Sequence, residues 1–230
     1  MARADLHGHT YFSRDSVMSP EDFARRAEIS GLTHLAVTDH QGVDGAYAVR
    51  EAASLEVIIG QEVRTSAGEI LALFIEEPIP AKLSPGLAAA RIRSQGGLVF
   101  VPHPFDPLRP SLGRTGLAEL GDSVDAIEGY NGRTLLRGRD ARARRYARER
   151  GLPVSLGSDA HSGGELGRSW AEMPDFSGPQ ELLAALREAN YHPAPRAPWW
   201  LLLSAAALLR WSLGWRPSTT PGPEDEDAGS

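Results

Sequence analysis

Chemistry is concentrated first in Ala4-Asp5-Leu6-His7-Gly8-His9-Thr10, with Asp15 close behind. Two histidines one residue apart at the end of a strand point to the same side, because side chains alternate with period two. The intervening Gly8 is expected to leave room for a ligand or a metal to approach the backbone. Neutral imidazole is the commonest metal-binding side chain, and carboxylates complete sites for borderline or hard divalent ions. By itself a His-x-His pair says little.

The same residue types return along the chain. Asp39-His40, Glu62, Glu69, Pro102-His103-Pro104 and Gly157-Ser158-Asp159-Ala160-His161 each follow or adjoin a short apolar run. Five of the seven histidines (His7, His9, His40, His103 and His161) fall at the ends of such runs. Solvated histidines would not be placed this way by chance, so the group reads as one metal site.

The runs themselves have to bring these residues together. Leu35-Ala36-Val37-Thr38, Val57-Ile58-Ile59-Gly60, Ile70 to Ile75, Leu98 to Val101, Asp125 to Glu128 and Pro153 to Leu156 read as buried strands after the opening one. Between them lie helical stretches. One starts at Ser19-Pro20-Glu21-Asp22, with Phe23, Ala27 and Ile29 as its apolar positions; others cover about 44–54, 84–95, 134–150 and 178–190. Strands alternating with helices predict a parallel sheet with right-handed crossovers. In parallel barrels catalytic groups gather at the carboxyl ends of the strands, where the loops converge on one mouth.

A chain of 230 residues, 41% hydrophobic, is long enough for one large α/β domain. Cysteine is absent, which excludes disulfides, thiolate metal sites and cysteine nucleophiles. Any metal must sit on histidine and carboxylate, which suits Mn, Fe or Zn. Lys82 is the single lysine. Of the net charge of −6, four charges belong to Glu224, Asp225, Glu226 and Asp227, so the body is near neutral and carries no broad nucleic-acid footprint. No duplex nucleic acid is expected as a partner. The N-terminus opens on strand-like sequence without a signal peptide, so a cytoplasmic location is the expectation.

With these motifs in order, the chain resembles the PHP (polymerase and histidinol phosphatase) superfamily over about residues 4–190. The resemblance implies an α/β fold, a distorted seven-stranded (β/α)7 barrel with two or three divalent metal ions (Mn, Zn or Fe) at the carboxyl ends of the strands, and phosphoester hydrolysis. It implies that His7, His9, Glu62 and Asp159 hold a first metal, that Glu62 bridges to a second shared with His103, and that Asp15, His40 and His161 hold a third. Where many relatives supply a further histidine to the second metal, Glu69 stands here. His161 and His40 are the expected aids to the leaving group if the third position is empty. Asp39 is read as orienting a ring or capping the next helix.

Such a centre would act on a small phosphorylated substrate, a nucleotide or nucleoside bisphosphate monoester in the first instance. An exonuclease or phosphodiesterase acting on short oligonucleotides is one alternative, and a metal-binding scaffold without turnover is another. An amidohydrolase would want a bridging lysine, and Lys82 falls in a loop. Arginine recognises phosphate through planar bidentate contacts. Of Arg14, Arg109, Arg133 and Arg168, the favoured candidates are Arg133 and Arg168. Glu128 and Asn131 either position substrate or cap the following helix, and His34 is structural. The run Arg137 to Arg150 reads as a solvated helix face.

The expected organisation is a metal-dependent domain over 1–195, an apolar Trp/Leu-rich helix over 196–216 and a disordered acidic tail over 217–230. For the segment 198–216, three readings stay open. It packs on the barrel or a partner subunit, lies on a membrane surface, or spans one.

Overall fold

The computed structural model describes residues 1–136, 138–194 and 200–215. The expected disorder of 217–230 therefore lies outside the described residues, as do Pro198 and Trp199.

Seven strands form the wall of a nearly closed barrel: β1 (Ala2–Asp5), β2 (His34–Val37), β3 (Glu56–Arg64), β4 (Glu69–Leu73), β5 (Leu98–Val101), β6 (Ala126–Asn131) and β7 (Val154–Gly157). The neighbours follow chain order from β7 to β1, and two further strands, β8 (Trp170–Met173) and β9 (Asn190–His192), extend the sheet beyond β1. Closure comes from β7 meeting β1, where Leu6 N–H donates to Leu156 O at 3.2 Å, and from a parallel bridge between Gly8 and Ala160.

β1–β2–β3 and β5–β6–β7 are parallel, as expected, but β4 runs antiparallel to both neighbours. The reason is local. Residues 65–68 turn tightly, with Thr65 N–H bonded to Gly68 O at 2.8 Å and Thr65 Oγ1 to the same carbonyl at 2.6 Å. That connection has no room for the crossover helix a parallel pair needs. Two consequences reach the site. Glu62 sits inside β3 rather than after it, and Glu69, the first residue of the reversed strand, starts at the end where the other strands finish.

Helices α1 (Pro20–Ile29), α2 (Asp44–Ala52), α3 (Pro85–Ser94), α4 (Gly113–Leu120) and α5 (Arg139–Glu149) follow β1, β2, β4, β5 and β6. Ser19 caps α1 by accepting from Asp22 N–H at 3.2 Å, with Pro20 in the first turn. Pro20, Phe23, Ala24 and Ala27 are its buried positions; Ile29, expected in the core, is 74% exposed, because two residues past Ala27 a helical side chain points to the opposite side. The expected helix 134–150 begins only at Arg139, after Gly138 at φ 82°. Helix α6 (Pro179–Leu186) stops before 190, because Asn190–His192 pairs with β8. Helix α4 and the strands β8 and β9 are not among the expected elements; Trp170–Met173 and Asn190–His192 carry no apolar run to mark a strand.

The core has two parts. Val37, Ile59, Ile70, Val99 and Ile127 pack outward against Phe23, Val49, Ile92, Leu117 and Ala147 of the helices. Leu6, Ala36, Ile58, Leu71, Phe100 and Leu156 form a second cluster, joined by Leu182 and Leu186 of α6. Glu62 shares its strand face with Ile58, so the apolar interior gives way to ligand-type residues along one strand. The space beside Gly8 goes to the core, not to a ligand: a Cβ there would meet Phe23 Cζ at 2.7 Å.

A final helix, α7 (Trp200–Ser212), lies on the barrel. No helix among the described residues is long and apolar enough to cross a membrane.

Candidate metal centre

Each histidine of the opening motif is oriented by what its second nitrogen touches. His7 Nδ1 lies 2.9 Å from Glu128 Oε1, and a carboxylate can only accept, so Nδ1 carries the proton. His9 Nδ1 lies 3.2 Å from Ser13 Oγ, whose hydroxyl is donated to Asp39 Oδ1 at 2.7 Å. His161 Nδ1 lies 2.7 Å from the Asp159 carbonyl. All three rings therefore turn an Nε2 lone pair inward. Partners of this kind fix tautomer and orientation at metal sites.

The lone pairs converge. His7 Nε2 and His9 Nε2 are 3.1 Å apart, Glu62 Oε2 is 3.5 and 3.4 Å from them, and Asp159 Oδ1 is 3.7 and 3.4 Å away. Glu62 Oε2 and Asp159 Oδ1 are buried without a hydrogen-bond partner. Four acceptors facing one point repel each other unless a proton or a cation lies among them. The donor set therefore fits a divalent ion held by imidazole and carboxylate.

Glu62 also faces a second group. Its Oε1 is 3.0 Å from His103 Nε2, which in turn is 3.9 Å from Glu69 Oε2. His40, Glu62 and Glu69 offer ligand atoms close enough for one ion. A third group is made by Asp15 Oδ2, 3.2 Å from His161 Nε2 and 3.7 Å from His40 Nε2. His40 thus lies between the second and third groups, with Nδ1 3.4 Å from Glu62 Oε2. All nine sequence-predicted ligands meet in one cluster at the mouth, seven of them buried and Asp15 and His40 half-buried.

The backbone is shaped to deliver them. His103 and Asp159, at the ends of β5 and β7, have positive φ angles of 28° and 54°. For residues other than glycine this region stores strain, which tends to persist at functional sites. Gly157 has no alternative, since a Cβ there would strike His7 Cβ and Glu128 Oε1. Asp39 holds Thr10 through both its N–H and its hydroxyl, at 2.8 and 2.6 Å, and supports His9 through Ser13.

Burial alone would raise the carboxylates, but nearby cationic groups outweigh it. His7 does so for Glu62, Arg109 for Asp159 and His161 for Asp15, and all three acids lie well below the usual range. For Glu69 burial and the charge of Glu62 outweigh the pull of His40, His103 and Arg64 and push it up to about 7. Burial, reinforced by His161, takes His9 down to about 3. His7 goes the other way, because Asp159, Glu62 and Glu128 overcome its burial, and His40 is raised to about 9, chiefly by Asp15 and Glu62 against its burial.

The remaining candidates separate. Glu128 is buried under His7, accepting from His103 N–H at 2.8 Å and from Asn131 Nδ2 at 2.9 Å. Asn131 Nδ2 also reaches Asp159 Oδ2 at 3.0 Å. Arg109, not among the favoured arginines, meets the cluster with its guanidinium on Asp159 Oδ2, and Arg64 reaches Glu69 Oε1 at 3.2 Å from the rim. Arg133 turns to Glu165 at 2.9 Å and to Ser204 at 2.7 Å. Arg168 is exposed on the loop between β7 and β8. Arg142 and Arg144 of the arginine-rich helix stack on Phe105 and Tyr130, so that face is only partly solvated. His34 bonds the Phe176 carbonyl at 2.9 Å, away from the mouth. Glu165 was missed by sequence reasoning: it accepts from His161 N–H at 3.0 Å, and its spacing from His161 was the available signal.

Comparison with known proteins agrees with this architecture. Residues 5–109 match the family model described as PHP domain, and residues 140–191 the one described as PHP-associated. Two uncharacterized proteins of Methanocaldococcus jannaschii are similar in sequence. MJ1587 is 37% identical over 142 residues, 56% of this chain and 81% of that one. MJ0417 is 31% identical over 196 residues, 80% of this chain and 79% of that one. Among solved structures, a two-domain protein from Bacteroides vulgatus, described as containing a predicted PHP-like metal-dependent phosphoesterase, superposes with a TM-score of 0.68 at 20% identity. That match covers 84% of this chain and 65% of the other. With two family models matched and two relatives more than 30% identical over about four fifths of their own length, this chain belongs to the PHP family.

Proposed function

We propose that the protein is a metal-dependent phosphoesterase that hydrolyses a small phosphorylated metabolite, a nucleotide or nucleoside bisphosphate monoester, with two or three divalent ions (Mn, Zn or Fe). One observation carries the reading: His7 Nε2, His9 Nε2, Glu62 Oε2 and Asp159 Oδ1 converge on one buried point, where both carboxylate oxygens lack a hydrogen-bond partner. Divalent ions at such a site neutralise phosphoryl charge and bring the pKa of bound water near neutrality.

The chain's own residues do the rest. Glu62 presents one oxygen to each of two neighbouring groups and so sets their spacing. Arg109 stays protonated beside Asp159 and is the cation best placed to pair with a substrate phosphate. Arg168, on the loop after β7, is the candidate for more distal parts of the substrate. With the Asp15 corner free of an ion, His40, 3.7 Å from Asp15 Oδ2 and partly open to solvent, is the group placed to give a proton to the leaving oxygen.

The test is phosphate release from a panel of mononucleotides, nucleoside bisphosphates and short oligonucleotides, with Mn, Zn or Fe added back to chelator-treated protein. Metal-dependent release from a monoester, lost in His9→Ala, is the expected result. Release only from oligonucleotide ends would move the substrate class to diesters. Stoichiometric metal uptake with no turnover on any ester would make the protein a scaffold.

A further inference from the structure

Helix α7 lies beyond both segments that match the family models, yet it touches the loop that carries Asp15 and is linked through Arg133 to the loop that carries His161. Its inward positions are Ser204 and Ala207, both buried, while Leu202, Leu209 and Leu213 face outward. At one end, Ser204 Oγ accepts from Arg133 Nη2 at 2.7 Å. Arg133 Nε is 2.9 Å from Glu165 Oε1, and Glu165 Oε2 accepts from Ser162 Oγ at 2.8 Å and from His161 N–H at 3.0 Å. Arg133 and Glu165 are buried, so this relay is shielded from water. At the other end, the Trp215 ring meets the Tyr11 ring edge-on at 5.5 Å, and Arg14 lies 5.7 Å over Trp211. Tyr11 and Arg14 belong to the loop that presents Asp15.

The two loops are also tied to each other. Ser16 Oγ bonds the His161 carbonyl at 3.1 Å, and Val17 N–H donates to the same carbonyl at 3.1 Å. Asp15 Oδ2 and His161 Nε2, 3.2 Å apart, are the product of this arrangement. The helix therefore braces one corner of the cluster, whereas His7, Glu62 and His103 are held by Glu128 and the barrel wall.

We propose that Glu165, Arg133 and Ser204 are positioning residues for the cation site formed by Asp15, His40 and His161, so that the affinity of this site alone depends on docking of α7. This rests on the reading that the cluster holds divalent ions. It concerns cation binding and does not require turnover.

The experiment is a stepwise Mn2+ titration of the full chain, followed by calorimetry and by the electron paramagnetic resonance signal of free Mn2+. Asp15→Asn identifies the step that belongs to this corner. Glu165→Gln is expected to weaken that step by roughly 10- to 100-fold, the usual loss for a partner one contact away from a ligand, and to leave the other steps unchanged. Ser204→Ala, a change on the inward side of α7 that spares the barrel core, is expected to weaken the same step by a smaller factor, roughly three- to tenfold, with Ser204→Thr restoring it.

The proposal is overturned if Asp15→Asn removes no ion, if Ser204→Ala leaves the step within about twofold, or if all steps weaken together with the melting temperature. A selective loss of that step without phosphate release from any ester would support the brace and remove only the phosphoesterase reading.

Discussion

At the residue scale the centre depends on carboxylates and imidazoles whose mutual repulsion a proton or a cation has to relieve. Glu128→Gln keeps the shape but replaces the charged acceptor of His7 Nδ1–H. It is expected to weaken the tightest metal step by roughly 10- to 100-fold, measured by calorimetry, with little change in fold. An unchanged affinity would show that His7 is not a ligand. Glu69 gives a prediction with a pH sign. Its folded value, about 7, stands above the ordinary 4.5, so the metal-free native state binds a proton that the unfolded chain releases. The resulting cost is absent below about pH 4, grows as pH rises and is complete above about 7. Glu69→Gln is thus expected to stabilise the metal-free protein by about 2–4 kcal/mol at pH 8 and by almost nothing at pH 4, while weakening the second metal step. Denaturant titrations at the two pH values check it, and equal shifts at both would remove the charge argument.

At the element scale the strand ends carry the function and glycines make room for them. Gly157 is packed between His7 and Glu128, so Gly157→Ala is expected to cost about 1–3 kcal/mol by overpacking and to lower metal content. Urea unfolding with elemental analysis measures both, and a variant of full stability and metal content would show that the two strands can spread. Phe23 fills the space behind Gly8 from α1 and is fully buried. Phe23→Ala is expected to cost about 3–5 kcal/mol and to loosen the His7–His9 segment.

At the scale of the whole molecule, metal uptake should be coupled to protons. His40, at about 9, and His7, raised well above its ordinary value, both carry protons at neutral pH in the metal-free protein and must lose them to bind a cation. Affinity should therefore fall as pH falls, and calorimetry in two buffers of different ionisation enthalpy should show net proton release at pH 7. Zero release would mean that neither ring ligates. Chelation is expected to lower the melting temperature, because a ligand that binds only the folded state stabilises it by mass action.

How much of this could be read from residues alone follows from which interactions are local. The His-x-His pair, Asp39-His40, and Asp159 with His161 are legible because period two and strand-end position are properties of a few neighbouring residues. The barrel class is legible for the same reason: apolar runs alternating with capped helices survive as a linear pattern. Reversal of β4, and with it the entry of Glu69 at the mouth, depends on a four-residue turn whose effect appears only when neighbouring strands pair. Arg109 reaching Asp159 and Arg133 turning to Glu165 and Ser204 are contacts across 50, 32 and 71 residues. Between such distant positions no spacing rule operates; side-chain reach and burial in the folded chain choose the partner. The sequence by itself therefore determined which residues could ligate and the kind of fold that gathers them. Only the tertiary structure decided which arginine faces the centre, and that α7 braces its third corner.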